Sequence, residues 1–408
     1  MYKRTGADGT AVLHRPLRAT ERRIRGREGQ VAPLLSAPTR SGLATAAERF
    51  FLAFVPAALV IGLVLTRYAI GKHLGFDYKP LWEASRQILQ GASPYPAPHA
   101  SALQGEQQFV YPPLAALLAA PLAAFPFGVA AALLAALELL ATGLTLRVLG
   151  VRDWRCYGVA LLWYPVIQNL LIGSITSLLA LGLAVVWRYR DERRVAAPVT
   201  AVLIGAKVFL WPLLFWLAAT RRGLAGLRAV ALVLVAVAVS WALIGFAGLA
   251  SYPRLLDQLS LLEEWKSYSA VALGLMLGLS SGEARTLAIA AGAVILLGVI
   301  AVGRRRLRDA DADRHAFILA IAAAFVLSPI VWTHYLALLL VPIAITRRTL
   351  SPLWFLPLAM WATPGQSDGR PWRVILGLSV WVLVLGASWR PTSSLTAFRS
   401  RPEPVPTA

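Results

Sequence analysis

Acidic residues are scarce in the apolar part of this chain, so each one outside a basic turn is a candidate for chemistry. They are Asp77, Glu83, Glu106, Glu138, Asp257, Glu263, Glu264 and Glu283. Transfer to a hydroxyl acceptor needs a base that takes the hydroxyl proton as the oxygen attacks, and one well-placed carboxylate is enough for an inverting displacement. Asp77 has that placement: it follows the first apolar span closely, between Phe76 and Tyr78, in GFDYKPLWEASRQILQ. The same residue reads alternatively as a solvated loop acid or as a cap for a helix starting near Lys79. Glu83 reads as a solvated face residue.

Lys207 is the second signal. It stands in the middle of AVLIGAKVFLWPLLFW, where an ammonium is costly unless it meets an anion or water. A lipid phosphate would satisfy it; so would snorkelling to the interface or a buried carboxylate. His334, in SPIVWTHY beside Trp332 and Tyr335, has the imidazole to hydrogen-bond a phosphate or a sugar hydroxyl, with a packing histidine as the alternative. Trp82, Tyr95, Tyr111, Trp265 and Tyr268 are rings that either stack on sugars or form an interfacial belt. HExxH, a Walker loop and GxGxxG after a strand are all missing from the sequence, which argues against a soluble two-Rossmann nucleotide-sugar enzyme. Cys156 is the only cysteine, so no intrachain disulfide or cysteine-cluster metal site can form. Without a cluster of carboxylate or histidine ligands in the loops, no metal and no cofactor are expected.

The elements that must position these groups are membrane spans. With 58% hydrophobic and 15% charged residues and a mean hydropathy of +0.63, the chain has far more apolar surface than a soluble core could use. The net charge of +20 is carried in short Lys/Arg clusters between apolar stretches, a pattern that sets topology and does not call for nucleic acid. Residues 1–48 read as a disordered basic tail on the cytoplasmic side, followed by a signal anchor, FFLAFVPAALVIGLVLTRYAIG. Residues 68–110 then form the first outer loop, in which Tyr78 to Leu89 spaces its apolar residues as a surface helix ended by Gly91.

Pro126 splits Tyr111 to Leu149 into two spans or half-spans, and GSITS interrupts Tyr157 to Val186. The segment 196–220 lies between WRYRDERR and TRRGLAGLR, and 316–345 between RRRLRDADADR and ITRR. Basic flanks on both ends make each a helical hairpin or re-entrant pair, the first with Lys207 in its middle and the second with SPIVWTH at its centre, turning on the outer side. Residues 249–268 form a second outer loop, and 391–408 a basic tail inside. The expected fold is all-α: a polytopic membrane domain over 49–390 with ten to thirteen apolar segments, multi-pass in the plasma membrane, both termini cytoplasmic.

GFDYKPLWEASRQILQGASPYP followed by FVYPPLAALLAAPLAAFP resembles the signature of glycosyltransferase family 87, the polyprenol-phosphate-mannose-dependent α-1,2-mannosyltransferase-like enzymes of the GT-C class. The resemblance continues through GSITSLLALGLAVVWRYRDERR, AVLIGAKVFLWPLLFWLAATRR and LSPIVWTHYLALLLVP. It implies a GT-C fold whose first outer loop carries the catalytic aspartate, here Asp77. The implied donor is a sugar on a polyprenyl phosphate, mannose by family default, and the acceptor a glycolipid or glycan on the outer face. Lys207 and His334 match positions that imply phosphate contacts, and Tyr78, Trp82, Arg86, Tyr95, Tyr111 and Trp332 are candidate substrate contacts. Gly173-Ser174, Lys207-Val208 and His334-Tyr335 stand where members often carry Gly-Gln or Gly-Asn, Lys-Pro and a His pair, which leaves arabinose or another sugar open. A flippase for lipid-linked glycans is the competing reading; it would need charges along a route through the whole bilayer. A catalytically dead scaffold is a third.

Overall fold

A computed structural model of the chain describes residues 42–69, 74–95, 109–306, 309 and 311–389. Most of the expected N-terminal tail, the stretch containing Pro96, Pro98 and Glu106, and the C-terminal tail lie outside the described residues. Among the described residues there are helices and no strands, as a chain requires when its backbone must satisfy its own hydrogen bonds in lipid. α1 (Gly42–Arg49) begins inside the stretch expected as tail and runs through a π-helical turn, Phe50–Phe54, into α2 (Val55–Ala69).

The surface helix forms over the expected residues as α3 (Tyr78–Leu89), and Gly91 follows it at φ +73°, a conformation glycine adopts without a Cβ penalty. Its buried face, including Leu81, Ala84 and Ile88, packs on α4 (Pro113–Ala123). The Ser85 hydroxyl donates across that contact to the Ala116 carbonyl at 2.8 Å. Beyond the Pro126 break, α5 (Phe127–Val148) is long and apolar enough to cross a membrane.

The remaining chain consists of α6 (Trp154–Leu161), α7 (Tyr164–Ile172), α8 (Thr176–Arg188), α9 (Arg193–Ala206), α10 (Leu213–Ala219), α11 (Gly223–Ala242), α12 (Tyr252–Glu263), α13 (Ala270–Met276), α14 (Ser281–Gly303), α15 (Ala312–Leu327), α16 (Leu340–Thr346) and α17 (Pro371–Ala387). 3-10 helices at Thr333–Leu339 and Pro352–Ala362 lead into α16 and towards α17. Of the ten to thirteen apolar segments expected, four are single helices long and apolar enough to cross a membrane: Ala44–Arg67, Phe127–Val148, Gly223–Ala242 and Ser281–Gly303. The pair α7 and α8, bent by 118°, would make a fifth. The others are shorter because prolines, glycines and Lys207 interrupt them.

An ionic network gathers one end of these broken segments. Asp313, at the start of α15, accepts from Arg190 Nε at 2.8 Å, from two Arg222 nitrogens at 2.8 Å each, and from Trp216 Nε1 at 2.9 Å. Asp191 accepts from Arg222 at 2.9 Å and from Arg306 at 2.8 Å. Buried charge of this kind is tolerated when every lone pair has a donor. The consequence is topological: the chain that leaves at Asp191 returns at Arg222, so α9 and α10 are a re-entrant pair and Lys207 is its far turning point, roughly 21 Å from that end by helical rise. Asp153, before α6, accepts from the Leu350 N–H at 3.0 Å, and Arg347 lies within electrostatic reach of Arg314. The segments α6 to α8 and α15 to α16 therefore also start and finish at this end, turning at Gly173 and before Thr333. Buried along nearly its whole length, α15 forms the centre of the core with the Thr333–Leu339 helix and α16.

Candidate active site

Asp77 is held by its backbone at the turn between α7 and α8. The Gly75 N–H donates to the Leu171 carbonyl at 3.0 Å and the Asp77 N–H to the Ile172 carbonyl at 2.8 Å. Those carbonyls belong to the last turn of α7 and would otherwise lack partners. Gly173 makes the approach possible: it sits at φ +69°, and a Cβ there would come 2.8 Å from Tyr78 Cβ and 2.9 Å from Gly75 Cα. Gly173→Ala is therefore expected to push the Asp77 loop off the turn and lower turnover about 100-fold, the scale of a displacement of about 1 Å in a reacting group; kinetics in membranes of matched protein content read it.

Asp77 occupies the cap position of α3 but its side chain makes no capping hydrogen bond. Burial pushes its carboxyl up to about 6, with the Lys207 ammonium pulling it back. The other described acids on the candidate list are engaged elsewhere. Glu83 lies 3.9 Å from Lys79, Glu263 3.3 Å from Lys266, and Asp257 and Glu264 are 2.8 Å and 2.9 Å from Arg285. Glu283 closes a capping box with Ser280, and Glu138 is bonded inside the helix packing. Among them, Asp77 alone has a side chain with neither an ion pair nor a hydrogen bond.

Lys207 takes an extended backbone, φ −144° and ψ 106°, between α9 and the Val208–Leu210 turn. Its ammonium is buried and lies 3.8 Å from the centre of the Tyr335 ring and 5.6 Å from that of Tyr111. It is within electrostatic reach of Asp77 and Glu138 but makes no ion pair among the described residues, so ring faces hold it in place. His334 is buried with Nδ1 lacking a hydrogen-bond partner, and it feels the Lys207 charge. Tyr111 and Tyr335 both lie within reach of Asp77, so the loop and the Lys207 and His334 tips converge on one place.

The other candidate residues have structural contacts. Tyr78 is buried and stacked on Phe127 with centroids 6.2 Å apart. Trp82 donates Nε1–H to the Phe125 carbonyl at 3.2 Å and carries Arg86 at 4.9 Å over its ring. Tyr95 stacks on Trp241 at 5.0 Å and donates its hydroxyl to the Tyr111 carbonyl at 2.7 Å, fixing Tyr111 rather than joining it. Trp332 is half-buried at the head of the Thr333–Leu339 helix. Tyr335, the closest partner of Lys207, was not among the residues singled out; its place directly after His334 in WTHY was the available signal. A carboxylate thus lies within electrostatic reach of a buried cation, the imidazole of His334 feels the same cation, and the Tyr111 and Tyr335 rings stand around it.

The sequence model of glycosyltransferase family 87 matches residues 109–332, more than half of the chain. No curated protein and no solved structure gives a significant match.

Proposed function

Because the chain belongs to glycosyltransferase family 87, we propose that this membrane glycosyltransferase takes its sugar, mannose first among the candidates, from a polyprenyl phosphate. The acceptor is a hydroxyl of a glycolipid or glycan. The observation that carries this reading is the convergence of Asp77, Lys207 and His334 from three separate parts of the chain, each at a turning point away from the ionic end. A lipid-linked donor suits that depth, since its phosphate must meet protein charge inside the membrane region while its chain remains in lipid.

In the reaction, Asp77 takes the proton of the acceptor hydroxyl as its oxygen attacks the anomeric carbon. The bond from that carbon to the phosphate oxygen breaks on the opposite face, inverting the centre and releasing polyprenyl phosphate. Lys207 and His334 hold the phosphate, and the charge that grows on it as it leaves is met by the ammonium. The raised carboxyl of Asp77 makes it a stronger base than a solvated aspartate. Tyr111 and Tyr335 line the space between. The arginine-rich network end faces the cytoplasm and the Asp77 end the outer side of the plasma membrane, by the positive-inside rule. Supporting transfer over transport, the opposite end is closed by the Asp313 network and packed core, where a flippase would need a charged route.

The test is a donor screen: membranes containing the full chain are supplied with polyprenyl-phosphate mannose, arabinose and glucose, and the lipid products are read by mass spectrometry. One sugar, mannose in the first instance, is expected to appear on the acceptor. Transfer from none of the three would overturn the lipid-phosphate donor.

A further inference from the structure

Of the buried acids that the mechanism leaves unused, Glu264 and Asp313 are paired with arginines and Glu138 is not. Glu138 lies in the middle of α5, fully buried, in a helix long and apolar enough to cross a membrane. A carboxyl there is costly unless its oxygens are bonded. Oε2 accepts from the Ser177 backbone N–H at 2.9 Å and from the Asn169 side-chain amide. Asn169 in turn accepts from the Thr176 N–H at 3.1 Å and donates to Ser177 Oγ at 3.0 Å, and Thr142 donates to the same hydroxyl at 3.1 Å.

The two backbone donors, Thr176 and Ser177, are in the first turn of α8. That helix starts after a sharp break, and the residue before it is Ile175, which offers no capping oxygen. Its leading N–H groups would be left unbonded. A carboxylate from α5 and an amide from α7 supply what the local sequence lacks, and negative charge is favoured at a helix N-terminus. The same break carries the base loop, through the Leu171 and Ile172 carbonyls that accept from Gly75 and Asp77.

Resting on the reading of Asp77 as base, we infer that Glu138 is a positioning residue: it caps α8 from a neighbouring helix and so fixes the turn from which the base loop hangs. Its second oxygen, Oε1, is buried without a hydrogen-bond partner, and Lys207 is within electrostatic reach. The cap and the phosphate-binding cation therefore belong to one electrostatic unit.

The test compares Glu138→Ala, Glu138→Gln and Asn169→Ala with the wild-type full-length chain. Hydrogen exchange of the amides at 75–77 and 176–178 is followed by mass spectrometry in detergent. Transfer kinetics use the donor selected in the screen above. Glu138→Ala and Asn169→Ala are expected to exchange about tenfold faster at these amides. They should lose roughly 30-fold or more in kcat with donor KM within about threefold, because the phosphate contacts lie on other segments. Glu138→Gln keeps an oxygen for the Ser177 N–H and should restore most of both. Unchanged exchange in Glu138→Ala, or a loss confined to KM, would overturn the inference, as would a Gln variant no better than the Ala variant. Asp77→Asn, run in parallel, reads the base assignment separately: wild-type turnover by it removes that assignment whatever the exchange data show. Should Glu138→Ala not accumulate, the Gln and Asn169→Ala variants decide by the same criteria.

Discussion

Asp77→Asn is expected to lower sugar transfer on the order of 1000-fold, the middle to upper part of the range that general base catalysis supplies, while leaving membrane insertion and protein level unchanged. The side chain makes no hydrogen bond or ion pair that asparagine would break, and the loop is held by backbone groups of Gly75 and Asp77 that the substitution preserves. Loss of the proton acceptor is then the main change. The wild-type pH profile supplies an independent check. A base works only when deprotonated, so kcat/KM should fall with decreasing pH through an apparent value near 6, where burial places this carboxyl. Wild-type-like transfer by Asp77→Asn would remove the base assignment, and a profile flat from pH 5 to about 8 would separate the titrating group from catalysis.

Lys207→Ala is expected to act on donor binding. A charge-assisted hydrogen bond is worth about 1.5–3 kcal/mol, so losing the phosphate contact should raise the apparent donor KM roughly 10- to 150-fold. The variant should also move the acid limb of the pH profile. Lys207 holds the Asp77 carboxyl down against the effect of burial; with the ammonium gone, the carboxyl titrates higher and the limb shifts to higher pH. An unchanged KM together with an unmoved limb would place the ammonium outside the donor site. Lys207→Arg keeps the charge but not the fit between the Tyr335 and Tyr111 rings, so it should retain the limb and recover only part of the affinity.

Much of this arrangement was legible in the chain because membrane insertion couples composition to topology. Basic flanks on both sides of 196–220 and of 316–345 implied that each segment returns to its starting side, and the Arg190, Arg222 and Asp313 contacts join both flanks of the first segment to the leading flank of the second. The surface helix behind Asp77 was readable from apolar spacing and from Gly91, and its bounds coincide with α3. Segment number was less legible. Apolar stretches of similar composition become either one long helix or two short ones according to whether a break is bonded by neighbours, as at Gly173 and Lys207, and hydropathy does not record those partners.

The aromatic candidates show the same boundary. Tyr95 and Tyr111 are equivalent in a reading based on ring content, yet one is a strut with its hydroxyl on the other's carbonyl and the other lies beside the Lys207 ammonium. Glu138 stood among the acids of the apolar part, but its bond to Asn169 is made between α5 and α7. By itself the sequence determined the membrane class, the all-helical fold and the family, and marked Asp77 as a candidate, since these follow from residue type and order along one strand of chain. Only the tertiary structure decided which side chains share the site and how the Asp77 loop is hung. Those depend on hydrogen bonds and fields between segments as far apart as 77, 138, 173, 207 and 334, whose cost and benefit appear only once the helices pack.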